Sequence, residues 1–109
     1  MRQDEIPPGT LYLLILKALA RGGELRGYEI ANWIEQVSDE VFQVEEGSLY
    51  PALQRMLIKG SVRAKWGVTA GNPRTRYYRH TPLGRKQLEV EVSQFERVMQ
   101  AITRAIQTA

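Results

Sequence analysis

The sequence predicts a mainly α-helical fold: three helices, a β-hairpin and a long terminal helix. Three observations lead there. Before Gly60 one segment is apolar almost all round, and two more carry apolar residues at spacings of three and four. Between Ser61 and His80 the pattern changes to alternation on either side of a run of turn formers. After Thr81-Pro82 a three-four spacing runs almost to the end of the chain.

The elements follow in order. Residues 1–8, MRQDEIPP, read as a loose polar arm. Thr10 is a plausible N-cap for LYLLILKALA, whose all-round apolar surface puts it at the centre of the core. Arg21-Gly22-Gly23 ends it. The second helix, GYEIANWIEQV, buries Ile30, Trp33, Ile34 and Val37 and leaves Asn32, Glu35 and Gln36 to water. Ser38-Asp39-Glu40 closes it, and Val41 to Val44 cross as an extended connection. In the third helix Leu49, Leu53, Met56 and Leu57 form the core stripe. Ser48 or Glu46 caps it, Pro51 lies in the first turn, and Gly60 ends it.

In SVRAKW, Val62, Ala64 and Trp66 point inward, while Ser61, Arg63 and Lys65 point outward. GVTAGNPRT is a long loop with a mobile tip, and RYYRH is the returning strand. Thr81 caps the last helix, with Pro82 at its first position. Leu88, Val92, Phe95, Met99, Ile102 and Ile106 then form a heptad seam. A helix of about 25 residues is roughly 37 Å long, more than so small a core covers. The seam fits a second copy of the chain; folding back over the first helix is the alternative.

Composition narrows the function. At 109 residues the chain is one small domain, with residues 1–81 as its body and 82–109 as an appended helix. There is no Cys, which excludes disulfides, thiolate metal sites and a Cys nucleophile, and the single His80 stands without a motif. No Gly-rich phosphate loop or paired-carboxylate motif points to an enzyme. No cofactor or metal is expected. The longest apolar run, Leu11–Leu16, is too short for a bilayer, so a cytoplasmic protein without a membrane partner is expected. Net charge is +3 but unevenly spread. Residues 1–44 carry 4 Lys/Arg against 7 Asp/Glu, residues 45–86 carry 9 against 2, and residues 87–109 carry 2 against 3. A basic middle third suits a polyanion, nucleic acid being the commonest.

Three helices followed by a hairpin make a winged helix-turn-helix, in which the third helix enters the major groove by its N-terminal residues. Its candidate DNA-contacting residues are Gly47, Ser48, Tyr50, Pro51, Gln54, Arg55 and Lys59, with Tyr28 at the start of the second helix. Gly47 lets the backbone approach a phosphate, and the helix N-terminus offers unpaired N–H groups. Ser48 and Tyr50 bring hydroxyls, and Gln54 can pair with adenine. Lys65, Arg74 and Arg76, with Arg63 and Arg79, make a cationic wing. Each residue has a plainer reading: Ser48 as a cap, Tyr50 leaning on the second helix, the arginines solvated. A winged helix serving only protein–protein assembly is the rival function, and the basic wing argues against it.

The same residues carry a family resemblance. Gly9-Thr10-Leu11, Gly27-Tyr28-Glu29-Ile30, Gly47-Ser48-Leu49-Tyr50-Pro51-Ala52-Leu53, Gly60, Trp66, Tyr77-Tyr78 and Thr81-Pro82-Leu83-Gly84-Arg85 resemble the PadR family of bacterial transcriptional regulators. The resemblance implies a homodimer held by a single C-terminal helix. It also implies repression of a nearby promoter, relieved by a small molecule or stress signal. A dimer of this kind is expected to bind double-stranded DNA at an inverted-repeat operator, with half-sites about one helical turn apart. Related dimers bind flat aromatic compounds between subunits; Tyr12, Phe95 and Met99 are the candidate lining here, with Trp33 if its ring faces the dimer. Leu57, Ser61 and His80 depart from the family pattern, and His80 reads as a partly buried structural residue.

Overall fold

The computed structural model describes residues 6–109. Residues 1–5 of the expected arm lie outside the described residues. The elements are α1 (Pro8–Gly22), β1 (Leu25–Arg26), α2 (Gly27–Val37), α3 (Glu46–Lys59), β2 (Val62–Thr69), β3 (Asn72–His80) and α4 (Pro82–Gln107). The strands form one antiparallel sheet in the order β1-β3-β2. The winged helix-turn-helix arrangement is therefore present, with a third, two-residue strand that pairs Leu25 with Tyr78 and Arg26 with Tyr77. So short a strand leaves no alternation to read.

Helix α1 is central, as its composition requires: it packs against α2, α3, α4 and β3. Leu11, Ile15, Leu16, Ala18 and Leu19 are all buried. Its cap is Pro7 rather than Thr10, because Pro8 at the first helical position needs no hydrogen-bond acceptor. The helix stops where Gly23, at φ 80°, returns its N–H to the Leu19 carbonyl.

Helix α2 buries Gly27, Ile30 and Ile34. Trp33 is half-buried, and Val37, expected in the stripe, is exposed because it ends the helix beyond the core. Glu35, expected to face water, is half-buried instead, and its carboxylate accepts the Val44 N–H at 2.8 Å. Ser38 Oγ accepts the Phe42 N–H at 3.1 Å. Asp39 and Glu40 both take positive φ, 56° and 63°. These bonds replace helix and sheet partners along the connection and fix the direction in which α3 begins.

Helix α3 begins at Glu46 with Glu45 as its N-cap, three residues before Ser48 and one before Glu46, the two expected caps. Ser48 lies in the first turn, its N–H on the Glu45 carbonyl, and Pro51 lies deeper, inside the helix. Pro51 has no N–H for the Gly47 carbonyl, so that acceptor loses its helical bond. Leu49, Ala52, Leu53 and Met56 form the buried side. Gly60, at φ 84°, ends the helix, and the Ser61 N–H returns to the Met56 carbonyl at 3.0 Å. Ser61 is thus part of the helix stop and is buried, not an outward-facing strand residue.

The hairpin is longer and tighter than expected. Its ladder continues to Thr69 opposite Asn72, with an irregularity between Gly67 and Thr69, so Ala70-Gly71 form a tight turn in place of a long loop. Gly71 takes φ 80°, a left-handed conformation that glycine adopts without steric cost. Val62 is buried and Ala64 half-buried, but Trp66 is 59% exposed, because the hairpin has left the core by that point.

Thr81 joins the wing to α4. Its Oγ1 accepts the Gly84 N–H at 3.1 Å and donates to the Gly60 carbonyl at 2.6 Å, and its N–H meets the Ser61 carbonyl at 3.1 Å. Helix α4 has 26 residues, and the molecule extends 60 × 32 × 21 Å. Leu88 packs against the core, whereas Phe95, Val98, Met99, Ile102 and Ile106 are exposed.

Two predictions follow from this packing. A Cβ at Gly84 would collide with the Ser61 carbonyl oxygen, a backbone atom that cannot rotate away. Ala gains at most about 1 kcal/mol of helix propensity there, against about 3 kcal/mol for overpacking. Gly84→Ala should therefore cost ~2 kcal/mol and lower Tm by roughly 8–16 °C in a calorimetric scan; an unchanged Tm would refute the seating of α4 on Ser61. His80 is half-buried, its Nδ1 has no hydrogen-bond partner, and burial, with Arg85 and Arg79 nearby, holds its pKa below the usual 6.5. The unfolded chain then takes up the proton first. Stability should be complete above pH 6.5 and fall as pH drops from there through the lowered folded value. Urea unfolding of His80→Gln should lack that decline; an equal decline in both proteins would assign it to other groups.

Candidate nucleic-acid interface

The exposed side of α3 carries Gly47, Ser48, Tyr50, Pro51, Gln54, Arg55 and Lys59. A side chain at Gly47 would meet nothing within 4 Å, so no internal contact explains the glycine. Tyr50 is 42% exposed, yet the hydroxyl end of its ring leans on α2: a Cβ at Gly27 would come within 2.6 Å of the Tyr50 hydroxyl. Gly27 therefore provides the seat for Tyr50. The sequence signal was a glycine directly before Tyr28 at a helix start, which reads equally well as a simple helix opening.

Next to that seat, Glu29 holds Arg26. The Glu29 carboxylate accepts the Arg26 N–H at 2.8 Å and Nε at 3.1 Å, so it caps α2 and anchors the guanidinium together. The same hydrogen bonds pull the Glu29 pKa below the ordinary carboxylate range. Arg26 lies over the exposed Tyr28 ring, 4.7 Å from its centroid. Sequence reasoning picked out Tyr28 but missed Arg26, because the β1 pairing that places it was not visible.

The hairpin sorts its cations onto two faces. Lys65 and Arg79 turn to Glu24, at 3.0 and 3.9 Å. Trp66 stands opposite Arg76 on the other face, and Arg74 and Arg76 lie over its ring at 4.7 and 5.6 Å. Arg76 also reaches the Tyr78 ring at 5.7 Å. Burial raises the Tyr78 pKa, which keeps this phenol protonated. Arg26, Gly27, Tyr28, Tyr50, Arg76 and Tyr78 line one cleft of about 380 Å³ between the wing and the starts of α2 and α3. The structure thus brings Tyr28, Tyr50 and Arg76 together and sets Lys65 apart, on the opposite face.

The suggested effector residues do not share a space within one chain. Tyr12 belongs to the α3 surface, where its hydroxyl accepts a hydrogen bond from Arg55 Nη1 at 3.1 Å. Trp33 lines a cleft with Arg21, Leu25, Glu29 and Asn32 at the far end of α1. Phe95 lines a groove with Pro7, Thr10, Leu13, Glu91 and Val98, and Met99 lies exposed further along α4. The α4 seam also divides. Leu88 and Val92 are half-buried, whereas Phe95, Met99, Ile102 and Ile106 are exposed, joined by the unpredicted Val98. Among the described residues no cluster of three or more His, Asp or Glu could hold a metal, and no helix is long and apolar enough to cross a membrane.

Gly27→Ala should push the Tyr50 ring outward and leave the fold intact, because the obstructing atom is the end of a side chain. The Tyr50 ring resonances should shift in NMR spectra while Tm moves by less than about 5 °C. Unchanged ring resonances would refute the contact.

Comparison with known proteins agrees with this architecture. Residues 15–90 match the model of the transcriptional regulator PadR-like family. A transcriptional regulator from Clostridium thermocellum is 30% identical and superposes with a TM-score of 0.80, over 88% of this chain and 92% of that one. A PadR-like transcriptional regulator from Bacillus cereus is 27% identical, with a TM-score of 0.79 over 93% and 95%. A PadR family transcription regulator from Clostridium difficile is 25% identical, with a TM-score of 0.76 over 88% and 97%. With its winged helix, basic wing and family match over most of its length, the chain belongs to the PadR-like family of transcriptional regulators, which are not enzymes.

Proposed function

We propose that this regulator acts in the cytoplasm as a homodimeric repressor, binding an inverted-repeat operator through two copies of the face described above. The observation that carries this reading is the convergence of Tyr28, Tyr50 and Arg76 on one cleft beside the exposed tip of α3. In each half-site the α3 tip enters the major groove by Gly47, Ser48, Tyr50 and Gln54. Arg55 and Lys59 meet the flanking backbone, and Arg74 and Arg76 reach the adjacent minor groove or its phosphates. Lys65, held by Glu24 at 3.0 Å, contributes a weaker share of the field.

Residues 1–81 are the DNA-binding part and residues 82–109 the dimerising part. The exposed row Phe95, Met99, Ile102 and Ile106 supports this division, since a solvated face has no use for four large apolar side chains at heptad spacing. A small aromatic effector or another stress signal releases the dimer from the promoter. Any effector space involving Phe95 and Met99 is completed by the second copy, because within one chain they share no cleft with Tyr12 or Trp33.

The test is oligomeric. Ile102→Asp puts a charge into the paired seam of both copies, at a cost of several kcal/mol each. Sedimentation should show a monomer. Mobility shifts on an inverted repeat recovered from genomic DNA, half-sites about one helical turn apart, should weaken by about 100-fold or more. A variant that remains dimeric, or a monomer that binds the repeat with full affinity, would overturn the reading.

A further inference from the structure

We propose that Trp66 is a positioning residue of the wing: its indole holds Arg74 and Arg76 as a preformed pair, and this raises affinity for duplex DNA without adding a charge. The inference rests on the reading that the wing meets DNA.

Core packing does not account for Trp66. It is 59% exposed and sits where the hairpin has left the body of the fold. Its neighbours do account for it. The ladder sets Trp66 directly across from Arg76, and Arg74, where the ladder becomes irregular, also comes over the indole. Their guanidinium carbons lie 5.6 and 4.7 Å from the indole centroid. Two cations over one ring repel each other, an arrangement that disfavours a merely solvated wing and favours one that meets a polyanion. An aromatic ring holds a guanidinium by its face, so the stack itself does not consume the in-plane N–H groups that grip phosphate or base edges. An arginine held in this way also loses less side-chain freedom on binding. Elsewhere on the hairpin the cations are handled differently, with Lys65 and Arg79 drawn to the Glu24 carboxylate.

Anisotropy titrations of the full chain with a short mixed-sequence duplex, repeated over a range of KCl concentrations, test the idea. Trp66→Ala should weaken binding roughly five- to thirty-fold, because two arginine side chains must then be ordered on binding. Its salt slope should match the wild type, because no cation is lost. Trp66→Phe should recover most of the affinity and Trp66→Leu little of it. Adding Trp66→Ala to the Arg74→Ala/Arg76→Ala variant should change nothing further. Wild-type affinity in Trp66→Ala overturns the proposal. So does equal rescue by Leu and Phe, or a further loss in the double-arginine background, since either means that Trp66 acts by its own contact. The double-arginine variant judges the underlying reading separately: it should lower the salt slope by about two units. An unchanged slope there removes the wing from DNA binding and the role of Trp66 with it. A lowered slope with a silent Trp66→Ala removes only the role of Trp66.

Discussion

The fold depends on the burial of α1. A helix with Leu11, Ile15, Leu16, Ala18 and Leu19 all buried needs cover on more than one side, and α2, α3, α4 and β3 provide it. That single demand arranges the functional parts. It holds α2 and α3 against a common partner, so the start of each emerges at the same end of the molecule. It also binds the first turns of α4, so the terminal helix leaves the body in a defined direction. The cleft between the wing and the helix starts and the exposed α4 row are both fixed relative to α1 and hence to each other.

Between α3 and α4 the link is made of hydrogen bonds. Gly60, Ser61 and Thr81 exchange backbone and hydroxyl bonds where α3 stops, the wing returns and α4 starts. All the polar groups named there are satisfied, which a buried junction requires. A shift of α4 relative to the body must strain this junction or move the wing base. The Tyr12–Arg55 bond forms a second bridge, from α1 to the outer side of α3. A displacement of the start of α4 is therefore coupled by hydrogen bonds to the end of α3 and the base of the wing.

The helices were legible because burial imposes a 3.6-residue period, and that period survives in the stripes of α2, α3 and α4. Thr81-Pro82 was legible because cap chemistry is local. Features set by distant partners were not. Strand β1 exists only because β3 lies beside it. Ser61 reads as a strand residue until the α3 stop and Gly84 enclose it. Trp66 fits the alternation of a half-buried strand, yet it is exposed because alternation says which face a residue takes, not whether anything covers that face. The same limit applies to the wing. Five cations were visible, but the drawing of Lys65 and Arg79 to Glu24 and of Arg74 and Arg76 to Trp66 depends on register and on residues far away in sequence. Gly27 was visible too, while its reason, the Tyr50 ring, comes from another helix.

This division of charge bears on how such a surface would hold DNA. The tip of α3 offers a helix N-terminus, whose partial charge is worth about 0.3–1 kcal/mol to an anion near the surface. Glu45 and Glu46 stand at that same start, and Glu46 lies within the first turn. Two carboxylates more than cancel half a positive charge, so the tip is poorly suited to drawing in phosphate by field alone. It is better suited to hydroxyl and amide contacts from Ser48, Tyr50 and Gln54, which act at short range and discriminate among bases. Long-range attraction then falls to the arginines at the wing. On the proposed reading the two parts carry different duties: the wing supplies salt-sensitive affinity, and the α3 tip supplies sequence preference at little electrostatic gain. The acidic tip also penalises any duplex that cannot make those short-range contacts, since phosphates approach the carboxylates whether or not the bases match.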